Sequence, residues 1–377
     1  MAILSFQTTT HFDHGAINML PKVLKTMGMK HPMICTDKGI VAAGLMDKVR
    51  KAVGNEFEIT VFDGTPENPT EAATRDALAI YKEAGCDGII ALGGGSAMDL
   101  AKGVGILDTH GGPISAQAPL AGGKIGEIMP LIAVPTTSGT GSEVSSGSVI
   151  ITDEGQKIVF VSNTIIPKVA ICDPDLTIGL PKHLTAATGM DAVTHCIEAF
   201  LTPQINPPAE GVALDGLYRA VKQGYLKRAV KDGTDTEARW HMMMASTEGA
   251  LAFTKGLGAV HAMAHAAGRL HDLRLHHGTL NAVILPVVLR WSEGTNDEKY
   301  ARLRNAMGLA ESTDLADFIE DLNGELGIPK NLGEMGVTAD LIPGMVEHAL
   351  GDVCHFGALK KPDADGYANL YELAMTK

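Results

Sequence analysis

The sequence predicts two domains: an N-terminal α/β domain on a parallel sheet, residues 1–180, followed by an all-α domain, residues 181–377. Three observations lead to this. Short apolar runs alternate with amphipathic segments from Pro32 to about Leu180, glycine-rich stretches follow two of those runs, and strand-like runs become rare beyond Leu180. A chain of 377 residues is also too long for one ordinary core.

In chain order, PMICTD is a short apolar run ending at Asp37, and EITVFDG is a second strand closed by the turn-rich TPENPT. Residues Glu71 to Gly85 read as an amphipathic helix. GIIALGGG is a buried strand that ends in glycines, and SAMDLAKGVGIL then opens a helix. PLIAVPTT is the next strand. Alternating β and α units imply a parallel sheet covered on both faces. Pro181 and Lys182 punctuate the change of character. LTAATGMDAVTHCIEAFL, ALDGLYRAVKQGYLKRAV, EARWHMMMASTEGALAF and AVILPVVLRW all space their apolar residues as helices do.

Composition narrows the function classes. A net charge of −13 argues against a nucleic-acid or anionic-membrane surface. No segment reaches the roughly 18 uninterrupted apolar residues of a membrane span. The opening MAILSFQTTTHFDHG lacks a basic region and a long apolar run, so no signal peptide is expected. The five cysteines (Cys35, Cys86, Cys172, Cys196, Cys354) form no CxxC and are odd in number, as in a reduced cytoplasmic protein.

Two loops point to a nucleotide. GGGS, Gly93 to Ser96, follows a strand and opens a helix, where unpaired N–H groups and the helix dipole suit a phosphate. It is not GxGxxG, and taken alone it reads equally as a tight strand-to-helix turn. PTTSGTGSE, Pro135 to Glu143, packs hydroxyls and glycines after the next strand, and alone it is a polar turn. Together they favour a nucleotide site. Asp37, at the end of PMICTD, can accept from ribose hydroxyls and would repel a 2′-phosphate, which favours NAD over NADP. Alone, it is an N-cap or an Asx-turn.

The stretch HAMAHAAGRLHDLRLHHG, His261 to Gly278, holds five of the fourteen histidines. His261 and His265 are four apart and share a helix face, as do Asp191 and His195 in GMDAVTHCIEAF. Met190, Val193, Ile197 and Phe200 make the latter segment apolar, and a buried carboxylate beside a buried imidazole needs a partner. That partner is either a metal or the Asp–His hydrogen bond itself. His277 precedes Gly278, where a turn can aim its ring. One Asp and three His suit Fe(II), Zn(II) or Mn(II) with a position open for catalysis.

These motifs carry a family resemblance. Over nearly its whole length, through GGGSAMDLAK, PTTSGTGSE, the DPDL–LP segment from Asp173, ATGMDAVTHCIEAF, GLGAVHAMAHAAG and HHGTLNAVILP, the chain resembles the iron-containing (group III) alcohol dehydrogenases. The resemblance implies the dehydroquinate synthase-like fold, with a dinucleotide-binding α/β domain and a helical metal-binding domain. It implies metal ligands at Asp191, His195, His261 and His277, and a proton-relay histidine at His265. It implies cofactor contacts at Asp37, Asn68, Gly94, Gly95, Ser96, Thr136, Thr137 and Thr140, with Lys157 as a further contact.

The segment between His265 and His277 departs from familiar members. No proline follows His265, and the path to the last ligand is about two residues longer. His276 therefore competes with His277, and the His-Gly pair favours His277. His271 and His276 receive no role. The HHGTLNA version is similar to the branch that includes 4-hydroxybutyrate dehydrogenases. Arg269 and Arg274, near that ligand, are then candidates to bind a substrate carboxylate, against the alternative of a solvated helix face.

The expected activity is NAD-linked interconversion of a short primary alcohol and its aldehyde, with Fe(II), Zn(II) or Mn(II). A dehydroquinate synthase-like or glycerol dehydrogenase-like enzyme is the alternative. A metallohydrolase would have no use for the two glycine-rich loops. The expected partners are the small substrate and further copies of the chain in a homodimer or larger homo-oligomer.

Overall fold

Strand β4, Gly88–Gly93, is buried at every residue and lies near the middle of a six-stranded sheet. The computed structural model describes residues 7–118 and 122–376, with all their side chains except that of His271. Met1–Phe6, the first part of the stretch read for a signal peptide, lie outside the described residues.

The strands are β1 (Thr9–Phe12), β2 (Pro32–Cys35), β3 (Thr60–Phe62), β4, β5 (Leu131–Pro135), β6 (Gly147–Ile151), β7 (Lys157–Val161) and β8 (Val169–Cys172). The sheet order is β1-β8-β5-β4-β2-β3, and every neighbouring pair is parallel. Strands β2, β4 and β5 are buried throughout, which explains their continuous apolar runs. β6 and β7 form a separate antiparallel hairpin that the sequence reading did not anticipate.

The chain divides into two compact units. Among the described residues, one comprises residues 7–137 together with Ser142–Gly179. The other holds Leu180 onward and takes in four residues from the first half, Ser138–Gly141.

The register of the sheet sets the nucleotide loops. Gly93 of β4 pairs with Pro135 of β5, so GGGS and PTTSGTGSE leave the sheet side by side at its carboxyl edge. Open α/β sheets bind their ligands at that edge. The helix Gly95–His110 starts directly from β4. From this helix Lys102, fully buried, donates through Nζ to the backbone oxygens of Ser142, Ser145 and Gly147 at 2.8, 3.1 and 2.7 Å. Asp99 accepts from Ser142 Oγ at 2.8 Å and from Val149 N at 3.0 Å. The polar half of SAMDLAK thus ties down the end of the second loop.

In the second unit no strand occurs among the described residues. Its central element is the helix Lys182–Leu201, buried without a break from Thr185 to Leu201. A helix enclosed on all sides carries apolar residues all round, and its polar members then need partners. Its end is capped by two lysines. Lys255 Nζ and Lys299 Nζ both donate to the carbonyls of Phe200 and Thr202, at 2.6–3.1 Å. Cations suit the negative end of a helix dipole. No helix among the described residues is long and apolar enough to cross a membrane.

Candidate active site

The glycine turn is shaped for close approach. Gly93 has φ +151°, and a Cβ there would sit 2.8 Å from the Ala97 methyl, so only glycine fits. Gly94 caps the helix and Gly95 begins it, leaving first-turn N–H groups without helical partners. Ser96 Oγ donates to Glu67 O, tying the turn to the ENPT segment. Thr136 N donates to Gly93 O at 3.0 Å, and Thr137 packs on Gly94. Thr136 Oγ1 is buried and meets no hydrogen-bond partner among the described residues. A glycine-only turn, free N–H groups and an orphan hydroxyl fit a bound dinucleotide phosphate. Asn68 Oδ1 accepts from Lys157 Nζ at 3.0 Å, so these two predicted contacts are joined. Thr140 lies in the segment that belongs to the helical unit.

Asp37 caps the helix Lys38–Ala42 by accepting from Ile40 N at 2.9 Å. Its other oxygen faces the glycine turn, 3.7 Å from where a Cβ on Gly93 would lie. The N-cap and the ribose-binding readings are therefore compatible. Two like charges 4 Å apart repel by about 1 kcal/mol in bulk water and about 4 kcal/mol at an effective dielectric of 20. Catalytic efficiency is expected to favour NAD over NADP by at least about tenfold, since 1.36 kcal/mol is one decade. Asp37→Gly should flatten that ratio, while losing the cap costs only a few tenths of a kcal/mol. An unchanged ratio in the variant would remove Asp37 from the selection.

The second cluster is built by three helices. Asp191 and His195 come from Lys182–Leu201, His261 from Ala259–Ala267 and His277 from His277–Ser292. One donor atom from each lies within 4.8 Å of all the others. Asp191 Oδ1 is 3.9, 4.0 and 3.6 Å from Nε2 of His195, His261 and His277. Asp191, His195 and His261 are buried, and the His277 side chain is 27% exposed. His277 reaches them because of Gly278. A Cβ there would come within 2.3 Å of Ala187 O and 3.2 Å of Asp191 Cβ, so glycine lets the two helices close together. His276 is exposed and stands outside the cluster.

The imidazoles are oriented by their other nitrogens. His195 Nδ1 lies 3.2 Å from Gly139 O, and His261 Nδ1 lies 2.6 Å from Glu198 Oε2. Each Nδ1–H then donates outward and each Nε2 lone pair points into the cluster. Burial, reinforced by His195 and His265, holds the His261 pKa well below the ordinary imidazole value, which keeps the ring neutral and able to ligate. Glu198 also accepts from Val260 N at 2.8 Å and His261 N at 3.1 Å. Burial pushes its pKa up to about 7 despite those bonds. One carboxylate and three imidazoles converging in one site fit a divalent cation of the Fe(II), Zn(II) or Mn(II) kind.

His265 stands beside this set as a separate group. Its Nδ1 lies 2.9 Å from Asp352 Oδ2, and its ring lies nearly parallel to that of His277 with centroids 5.4 Å apart. Asp352 also accepts from Cys354 N at 2.8 Å. Burial pushes the Asp352 pKa up, but His265 and the Cys354 N–H more than offset this and leave it below the usual carboxylate range.

Sequence reasoning missed Glu198 and Asp352, and also Asn281, whose Nδ2 lies 2.7 Å from Asp191 Oδ1. Glu198 continues the 191, 195 stripe by three residues, and Asn281 follows His277 by four, so spacing could have found both. Asp352 lies far along the chain with no local signal. Arg269 is half-buried, with Nη1 3.4 Å from His348 Nδ1. Arg274 is exposed, at φ +47°. The His271 side chain lies outside the described ones.

A dinucleotide-type cradle and a catalytic-type metal cluster in one chain define a class, the metal-assisted dehydrogenases. Comparison with known proteins agrees. Residues 7–174 match the iron-containing alcohol dehydrogenase family, and residues 185–375 match the C-terminal domain of the Fe-containing alcohol dehydrogenase family. The chain is 49% identical to 4-hydroxybutyrate dehydrogenase of Cupriavidus necator, over 100% of each chain. It is similar to the crystal structure of 1,3-propanediol oxidoreductase, with a TM-score of 0.91 and 35% identity over 99% of this chain and 100% of that one. It is also similar to a sulfoacetaldehyde reductase from Bifidobacterium kashiwanohense in complex with NAD+, with a TM-score of 0.90 and 26% identity over 100% and 99%. This chain belongs to the iron-containing alcohol dehydrogenase family. Its fold and its class of activity, alcohol–aldehyde interconversion, are those the motifs implied.

Proposed function

We propose that the chain oxidises a short primary alcohol with an anionic far end, of the 4-hydroxybutyrate and succinate semialdehyde type, and reduces the aldehyde in reverse, with NAD and Fe(II). The convergence of Asp191, His195, His261 and His277 beside the His265–Asp352 pair carries this reading. When bound, the cation supplies Lewis acidity at the substrate oxygen and the nicotinamide supplies a hydride acceptor.

The chain's own residues do the rest. Glu198 and Gly139 O fix two imidazoles so that their lone pairs face inward. Asp352 holds His265 by Nδ1, which leaves Nε2 as the atom that takes the hydroxyl proton during oxidation and returns it during reduction. An ionised Asp352 stabilises the imidazolium formed. The glycine turn, with Thr136, Thr137 and Thr140, and with Asn68, Lys157 and Asp37, is assigned to the cofactor. NADH formation in a screen over primary alcohols, diols and ω-hydroxy acids, comparing Fe(II), Zn(II) and Mn(II), tests the reading. Absence of NADH from every hydroxy compound would overturn it.

The anionic substrate is supported by the 49% identical 4-hydroxybutyrate dehydrogenase and by Arg269, half-buried four residues past His265. Arg274 is the more exposed of the pair, and the larger effect belongs to Arg269. A charge-assisted bond contributes roughly 1.5–3 kcal/mol. Arg269→Ala should therefore lower kcat/KM on 4-hydroxybutyrate by about tenfold to a hundredfold while sparing 1-butanol. Arg274→Ala should have a smaller effect in the same sense. A better rate on the neutral alcohol, or no selective loss in either variant, would remove the anionic end from the proposal. The active form is assigned to a homodimer or larger homo-oligomer in the cytoplasm, and light scattering on the purified protein measures the first of these.

A further inference from the structure

Asn281 lies at the heart of the donor cluster and has no role in the reading above. The residue is fully buried and stands one turn beyond His277 on the same helix face. Its Nδ2 is 2.7 Å from Asp191 Oδ1, 3.1 Å from His261 Nε2 and 3.1 Å from His277 Nε2. One amide nitrogen thus faces three of the four donors. The other amide atom, Oδ1, is buried and meets no hydrogen-bond donor among the described residues. Leaving such an oxygen unpaired is costly, and a native protein that bears this cost has a reason for it.

The reason lies in the lone pairs. A neutral imidazole nitrogen has one, so Nε2 can serve an Asn281 hydrogen or a cation but not both. A half-turn of the amide exchanges its nitrogen and oxygen with little change in shape. It lifts the hydrogens off the donors and brings a hard oxygen to the place where they converge, and carbonyl oxygen suits cations such as Mn(II). The oxygen then has a partner, and the amide hydrogens take its former place. We propose that Asn281 is a fifth ligand of the metal centre, its amide oxygen turning onto a divalent cation held by Asp191, His195, His261 and His277. This rests on the assignment of those four as ligands.

Asn281→Leu keeps the size and removes the oxygen, and Asn281→Asp keeps an oxygen in place. The full-length variants are compared for Co(II) and Fe(II) dissociation constants by chelator competition, and for the visible absorption of the Co(II) form. The intensity of that absorption falls when a fifth ligand joins four. Circular dichroism checks folding. Asn281→Leu is expected to bind either metal roughly 10–100-fold more weakly and to absorb more strongly as the Co(II) form. Asn281→Asp should bind at least as tightly as the wild type, with a similar spectrum. Wild-type affinity in Asn281→Leu, or weaker binding with an unchanged spectrum, would overturn the ligand role. Asp191→Ala separates the two failures. If it retains the cation, the four-ligand assignment itself is wrong. If it loses the cation while Asn281→Leu binds as the wild type does, only the fifth ligand falls.

Discussion

Asp191→Ala and His261→Ala are expected to lose the cation and at least about a thousandfold in turnover. A cation polarising the substrate oxygen supplies several kcal/mol of transition-state stabilisation, and 1.36 kcal/mol is one decade in rate. Both side chains are buried, and each sits on a helix with its own apolar contacts, Met190 and Val193 around Asp191 and Val260 and Met263 around His261. The variants should therefore stay folded, which far-ultraviolet circular dichroism checks alongside elemental analysis for metal. Full metal content with wild-type turnover in either variant would remove that residue from the site.

The second large effect belongs to His265. His265→Ala should retain the cation and lose roughly 10²–10⁴ in kcat, the usual contribution of a positioned general acid or base. The arm of the pH–rate profile that reports this base should flatten. Asp352→Asn should do the same more mildly, because it keeps the hydrogen-bonding shape and removes the charge facing Nδ1. If His265→Ala loses metal, the residue belongs among the ligands. If Asp352→Asn leaves the pH profile unchanged, Asp352 serves packing alone.

Much of this was legible in the chain itself because the chemistry is local there. Asp191 and His195 are four apart on one helix, and the apolar residues between them announce burial. GGGS and PTTSGTGSE each follow a strand, and parallel pairing of β4 with β5 makes them neighbours. What stayed hidden depends on distance in the chain. Asp352 meets His265 across 87 residues, and no periodicity reports such a contact. The choice of His277 over His276 rested on the adjoining glycine. The structure supplies a reason for that glycine, since any side chain at position 278 would strike the backbone at Ala187. Asn281 was hidden differently, for an amide inside an apolar helix reads as an ordinary satisfied polar residue until its neighbours are known.

Ser138–Gly141, four described residues that the second unit takes from the first half of the chain, limit how this protein can be divided. The sequence suggests a cut near Leu180, with every proposed metal ligand on the C-terminal side. A fragment beginning there would carry all four, yet it would lack the Gly139 carbonyl that His195 Nδ1 meets at 3.2 Å. The imidazole of His195 would then be free to take either tautomer, and a share of the molecules would present a protonated Nε2 to the site. Fragment complementation, domain grafting and circular permutation should therefore treat the 138–141 strap as part of the metal-binding module. The border between the modules of this enzyme is a property of the folded chain and not a point along it.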